Sequence, residues 1–144
     1  MPGPVVFEDG CIVLCLPLPS RECSPNARRG ESRAAAIRKS KVVKRHRVLA
    51  QLRLHNVLVS GEVPDGCQYA GYSLAFFFRT AAFRDDDNAD ASVKAYRDGF
   101  ASALRMDDRG LRKIALSSYA KDAAFPRVEI TLYPKNAPHN TITK

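Results

Sequence analysis

The chain has 144 residues, 45% of them hydrophobic, with 23 Lys and Arg against 15 Asp and Glu and a formal net charge of +8. That length suits one domain around one core, and no apolar run approaches the ~18–20 residues that span a bilayer. Zinc fingers and ribbons are disfavoured because the four cysteines show no CxxC or CxxC…HxxxH spacing, while the positive excess suits a polyanionic partner.

Residues 1–10 carry Glu8 and Asp9 without a basic n-region and read as an N-terminal extension rather than the start of a signal peptide. The apolar run 11–16, stopped by Pro17 and Pro19, predicts a buried strand that empties into a loop reaching Gly30. Thiols in a chain without a secretory signal are expected to be reduced, which suggests the cytoplasm.

Residues 32–54 lack Gly and Pro and are rich in Ala, Lys and Arg, so they predict a helix with Ser32 as its N-cap. Its apolar side is expected to hold Val42, Leu49 and Leu52, with Val48 or Asn56, flanked by long basic stems. Between residues 28 and 53 there are ten basic side chains, including Arg28, Arg29, Arg38, Lys41, Lys44 and Arg45, and a single acid, Glu31. Such density points to phosphate binding, the alternative being a solvated helix face.

Pro64 and Asp65 between Gly61 and Gly66 are turn chemistry, and the aromatic, β-preferring stretch 69–83 predicts a long strand in which Tyr72 and Phe76 to Phe78 serve as core. A helix capped by Asp87 or Asn88 is expected to run to Leu104, with Val93, Tyr96, Phe100, Ala103 and Leu104 on its packed face. Strands are expected over 111–118 and 127–133, the second alternating Val128, Ile130 and Leu132 against polar neighbours. Residues 134–144 read as a flexible tail. His46, His55 and His139 have no triad or metal spacing and are expected to be structural or surface residues.

The acids gather where the bases do not: Asp85, Asp86 and Asp87, then Asp107 and Asp108. On a continuous helix Asp87, Lys94 and Asp98 would project within about 40° of one another, away from Val93 and Phe100. One explanation is simple electrostatics, with acids favoured in a first helical turn and Asp90 forming an i,i+4 pair with Lys94. The other is a hard divalent cation. Asp85 and Asp87, two apart in extended chain, point to one side, and Mg²⁺ takes one or two carboxylates together with substrate phosphate. Phosphodiester hydrolysis is the chemistry that follows, with Lys94 stabilising transition-state charge.

The run Arg84-Asp85-Asp86-Asp87-Asn88, followed by Lys94, Asp98 and Asp107-Asp108, resembles the signature of the RusA-type Holliday junction resolvases of bacteria and their phages. Leu16-Pro17-Leu18-Pro19-Ser20 and Ser24-Pro25-Asn26 are similar to that family's opening strand and Pro-rich loop, and Phe125-Pro126-Arg127-Val128 to its last strand. The resemblance covers residues 11–133. It implies an α/β (α+β) domain with a small mixed sheet flanked by two main helices, acting as a homodimer in a bacterial host or as a phage-encoded protein. By the same resemblance Asp85, Asp87 and Asp108 bind Mg²⁺ or Mn²⁺, Lys94 is needed for cleavage, and Arg84 touches DNA. Asn88, Asp98 and Asp107 then support those ligands from behind.

Lys94 stands six residues after Asn88, three more than the family's commonest spacing. Three residues add ~4.5 Å along a helix, so either the helix starts a turn late or Lys94 lies further from the metal. No aromatic residue falls between Ser20 and Arg33, which leaves no stacking side chain in the N-terminal loop. The expected function is therefore metal-dependent, structure-selective cleavage of four-way junctions in recombination, repair or phage DNA processing. Two alternatives stand beside it: an inactive branched-DNA-binding protein on the same fold, and a basic module that binds RNA or an acidic protein.

Overall fold

In the computed structural model, residues 2–20, 23, 32–81 and 86–135 are described, apart from the side chains of Asp86, Asp87 and Asn88. The elements in chain order are β1 (Val5–Val6), β2 (Ile12–Leu16), α1 (Arg33–Val59), β3 (Tyr69–Phe78), α2 (Asp86–Ser92) and α3 (Lys94–Leu104). A 3₁₀ turn (Asp108–Gly110) then leads to β4 (Arg112–Lys113), β5 (Ser118–Lys121) and β6 (Arg127–Pro134). This is a single α+β domain with a mixed sheet, as expected. Val5 and Val6, inside the segment read as an extension, add an edge strand opposite Val13 and Ile12.

The sheet runs β1-β2-β6-β3-β4, with β5 pairing further along β3. The pairs β1/β2, β2/β6 and β6/β3 are antiparallel, while β4 and β5 lie parallel to β3. A parallel return needs a crossover, and α2 with α3 supplies it. Register aligns Leu14, Ile130 and Leu74 across three strands, with Leu16, Val128 and Phe76 beside them. The alternation read at Val128, Ile130 and Leu132 holds, since all three are buried. Ala50, Leu54 and Val57 of α1 and Tyr96 and Phe100 of α3 complete that core.

Four expectations need correction. Helix α1 is capped by Ser32, whose Oγ accepts the Ala35 N–H at 3.2 Å, but it continues to Val59 rather than ending near Leu54. Its buried face is Ala35, Val42, Ala50, Leu54 and Val57; Leu52 and Val48 are 55% and 40% exposed. The reason is the approach of α3: a Cβ on Gly99 would stand 2.2 Å from the Arg47 carbonyl oxygen and 3.0 Å from Ala50 Cβ, so small residues face the crossing and Leu52 turns outward. Strand β3 ends at Phe78, and residues 79–81 bend rather than continue the strand expected to 83. The strand expected over 111–118 is instead two short strands on β3, at Gly71–Tyr72 and at Ala75–Phe78.

The fourth correction concerns the helix after the acidic run, which is interrupted at Val93 (φ −89°, ψ 5°). Ser92 Oγ donates back to the Ala89 carbonyl at 2.6 Å, and Val93 N–H closes α2 on the Asp90 carbonyl at 3.3 Å. Such local bonds from serine compete with the helical ladder. Val93 itself is 3% exposed, so the bend drives its side chain into the core. A 100° step therefore does not carry from Asp87 to Lys94.

Candidate functional site

Lys94 opens α3 and lies on its exposed side. Its ammonium donates to Asp98 Oδ2 at 3.0 Å, with the two side chains 63% and 30% exposed. Asp98 Oδ1 is sequestered from solvent yet has no hydrogen-bond partner among the described residues. The pair is thus lopsided, one carboxylate oxygen satisfied by lysine and the other left bare.

At the far end, Arg105 adopts the left-handed conformation (φ 56°, ψ 47°) and its N–H reaches the carbonyls of Ala101 and Ser102. Met106 N–H returns to Ala101 at 3.0 Å. This is a helix C-cap made by a residue other than the usual glycine, and it turns the chain so that Asp107 and Asp108 follow at once. Asp107 caps the 3₁₀ turn by accepting the Arg109 N–H at 2.9 Å, and it also accepts Arg109 Nη2 at 2.9 Å. The Arg109 guanidinium holds the Asp107 carboxyl far below the usual carboxylate range.

Asp108 follows, and its charge also bears on the Arg109 guanidinium. It lines an open depression of about 410 Å³ with Arg47 of α1 and with Asp98, Ala101, Ser102 and Met106. Of the expected site residues, the fold brings together Asp98 and Asp108, with Lys94 attached through Asp98. Asp107 is occupied by Arg109 instead. Asp85, Arg84, Arg28 and Arg29 lie outside the described residues, and Asp87 and Asn88 contribute only the backbone of α2. Among the described residues no three His, Cys, Asp or Glu side chains are gathered closely enough to hold a metal ion. Two carboxylates remain chemically suited to Mg²⁺, which completes its octahedron with waters and substrate oxygens.

Asp90 is not the partner of Lys94. Its Oδ2 accepts Lys113 Nζ, and its Oδ1 accepts Ser117 Oγ at 2.6 Å. Neither Lys113 nor Ser117 carries a local sequence signal, because their meeting with α2 depends on β4 and β5 lying parallel to β3. In the sequence Arg47 is only one more base in a basic run.

Along α1, Arg38, Lys41, Lys44 and Arg45 are exposed, and none forms an ion pair with a described residue. Lys41, Lys44 and Arg45 surround an open groove of about 570 Å³ floored by Val48 and Leu49. His46, by contrast, is structural: Nδ1–H donates to the Val42 carbonyl at 3.0 Å, and Nε2 accepts the Ser20 N–H at 3.0 Å. The ring also stacks on Tyr96 at 5.2 Å. All four cysteines are free thiols, and burial together with Asp9 pushes Cys11 up to about 12. Among the described residues no helix is long and apolar enough to cross a membrane.

No protein-family model matches the chain. Over 96 residues, 67% of its length, it is 38% identical to an uncharacterized protein of Xylella fastidiosa (strain Temecula1), and it spans 60% of that relative.

Proposed function

We propose that this protein is a Mg²⁺-dependent endonuclease that cuts branched DNA, in the manner of the RusA-type Holliday junction resolvases, and that it acts as a homodimer. The observation that carries the reading is the junction of two opposite surfaces: the depression holding Asp98 and Asp108 is walled by Arg47, which belongs to the same helix as Lys41, Lys44 and Arg45, none of them in an ion pair with a described residue. Phosphates drawn to α1 therefore arrive beside carboxylates. Asp108 and Asp98, with Asp85 and Asp87 from the preceding segment, would hold the metal, which when bound orients water and offsets charge on the leaving oxygen. Mn²⁺ suits the same donors.

Within this reading Arg38, Lys41, Lys44 and Arg45 bind the arms through phosphates, which gives affinity and salt dependence but little base selectivity. Arg47 guides one phosphate toward the acids. Lys94, parked on Asp98, is exposed enough to exchange that carboxylate for a phosphate oxygen. A four-way junction has near two-fold symmetry and needs paired cuts, which a C2 dimer provides.

The test is a labelled four-way junction and a matched duplex, each incubated with the protein in Mg²⁺ and in EDTA. Metal-dependent, symmetric nicks in the junction are expected, and Asp87→Asn should abolish them while leaving junction binding intact. Junction binding without nicks would replace this reading with an inactive branched-DNA-binding protein. Equal affinity for junction, duplex and RNA would replace it with a general basic interaction module.

A further inference from the structure

We propose that Lys113 and Ser117 are positioning residues: by clamping Asp90 they hold helix α2, and with it the acid-bearing segment that opens at Asp86 and Asp87. The inference rests on the nuclease reading above. Helix α2 has seven residues, far short of the ~12–15 at which an isolated helix becomes even marginally stable. It needs tertiary anchors. Ala89 is buried, but Ser92 spends its hydroxyl on α2's own backbone. Among the described residues Asp90 makes the polar connection, using both carboxylate oxygens on groups 23 and 27 residues away in sequence.

The direction of support follows from what is already fixed. Lys113 lies in β4, paired with Tyr72, and the next residue, Ile114, donates its N–H to the Tyr72 carbonyl at 3.0 Å. A side chain at Gly71 would crowd Ile114 Cγ2 at 2.8 Å, so Ile114 is seated directly over the sheet backbone. The ammonium therefore springs from a strand tied to β3 by its backbone pairing, and α2 is the element being held. Apolar burial does not do the same work in the following loop, where Leu116 is 93% exposed. The Asp90 and Lys113 side chains are only 30% and 27% exposed, which shields their pairing from solvent more than that of Lys94 with Asp98.

Asp90 lies one helical turn beyond Asp86 and Asp87, so a shift or rotation of α2 displaces both. Misplacing a reacting group by about 1 Å can cost on the order of 100-fold in rate. Without the clamp, α2 keeps Ala89 and its link to α3 but loses its fixed orientation. Turnover and metal affinity should fall, while phosphate contacts made by α1 should not.

The experiment compares wild type with Lys113→Met, Lys113→Arg and Ser117→Ala in the full chain. Three quantities are measured: Mn²⁺ affinity of the free protein by electron paramagnetic resonance, junction affinity in EDTA, and single-turnover cleavage in Mg²⁺. Lys113→Met should lower cleavage by about 100-fold and weaken Mn²⁺ binding several-fold, with junction affinity unchanged. Lys113→Arg should recover most of both losses, and Ser117→Ala should show a smaller loss of each. Wild-type cleavage and Mn²⁺ affinity in Lys113→Met would overturn the clamp alone, as would a loss confined to junction affinity. Should Lys113→Met fail to fold, an unaltered Ser117→Ala overturns it. A wild type that neither binds Mn²⁺ nor cleaves would remove the nuclease reading and the clamp together.

Discussion

Two helical joints of this protein are made by opposite means. Helices α1 and α3 meet almost backbone to backbone at Gly99, and Ala50, Leu54, Tyr96 and Phe100 fill the space between them and the sheet. Helix α2 and the β4–β5 loop meet through a carboxylate, an ammonium and a hydroxyl, with a leucine left in water. Apolar close packing fixes position through volume and responds little to salt. Polar contacts fix position through direction and charge, and answer to whatever ion or phosphate arrives. The first joint sets the frame; the second stands beside the acids that would do chemistry.

Breaking the packed joint should have the largest effect on stability. Gly99→Ala gains about 1 kcal/mol of helix propensity, but the new methyl would stand 2.2 Å from the Arg47 carbonyl oxygen. A backbone atom cannot swing aside as a side-chain tip does, so α1 and α3 must separate, at about 1–3 kcal/mol or more for overpacking. The expected outcome is a net loss of up to about 2 kcal/mol, read as a lower denaturant midpoint at unchanged slope. An equal or higher midpoint would mean that the helices do not approach so closely.

That joint also marks the limit of what the sequence makes legible. Tyr96 and Phe100 announce the core side of α3 by spacing alone, and Val128, Ile130 and Leu132 announce β6 in the same way. The core side of α1 is hidden because the crossing admits small residues: Ala35 and Ala50 are buried while Leu52 is 55% exposed. Hydrophobicity ranks these residues in the wrong order. The same holds for the candidate site. Asp98 and Asp108 stand out as acids in a basic chain, yet Asp107 is indistinguishable from Asp108 until Arg109 claims it. Asp90 reads as the partner of Lys94 until Val93 interrupts the helix and β4 presents Lys113.

A middle-sized effect should come from the tyrosine that ties the packed joint to the N-terminal loop. Tyr96 is 1% exposed and its hydroxyl donates to the Pro17 carbonyl at 2.7 Å; burial raises its ionisation well above the ordinary 10.0. Tyr69, donating to the Gly10 carbonyl at 2.6 Å, is raised from 10.0 for the same leading reason. Because the folded values exceed the unfolded one, this stability is fully present below pH 10 and is lost as pH rises beyond it. Tyr96→Phe should cost about 1 kcal/mol at pH 7 and flatten the decline above pH 10. Denaturant melts from pH 7 to 11 would check this, and an undiminished alkaline slope would show that Tyr96 does not ionise with unfolding.

The smallest stability change is expected where the proposed chemistry is most exposed. Lys94 and Asp98 form an i,i+4 pair at 3.0 Å on the water side of α3, the lysine 63% exposed. Pairs of this kind contribute about 0.3–0.5 kcal/mol, and less in salt. Lys94→Ala should therefore leave the melting curve nearly unchanged, whereas turnover on a four-way junction should fall far more than junction affinity. If affinity falls and turnover at saturation does not, Lys94 is a phosphate contact rather than part of the cleavage step. The contrast with Gly99 is then complete in energetic terms, because a residue that costs almost nothing to remove from the fold is free to be spent on the substrate.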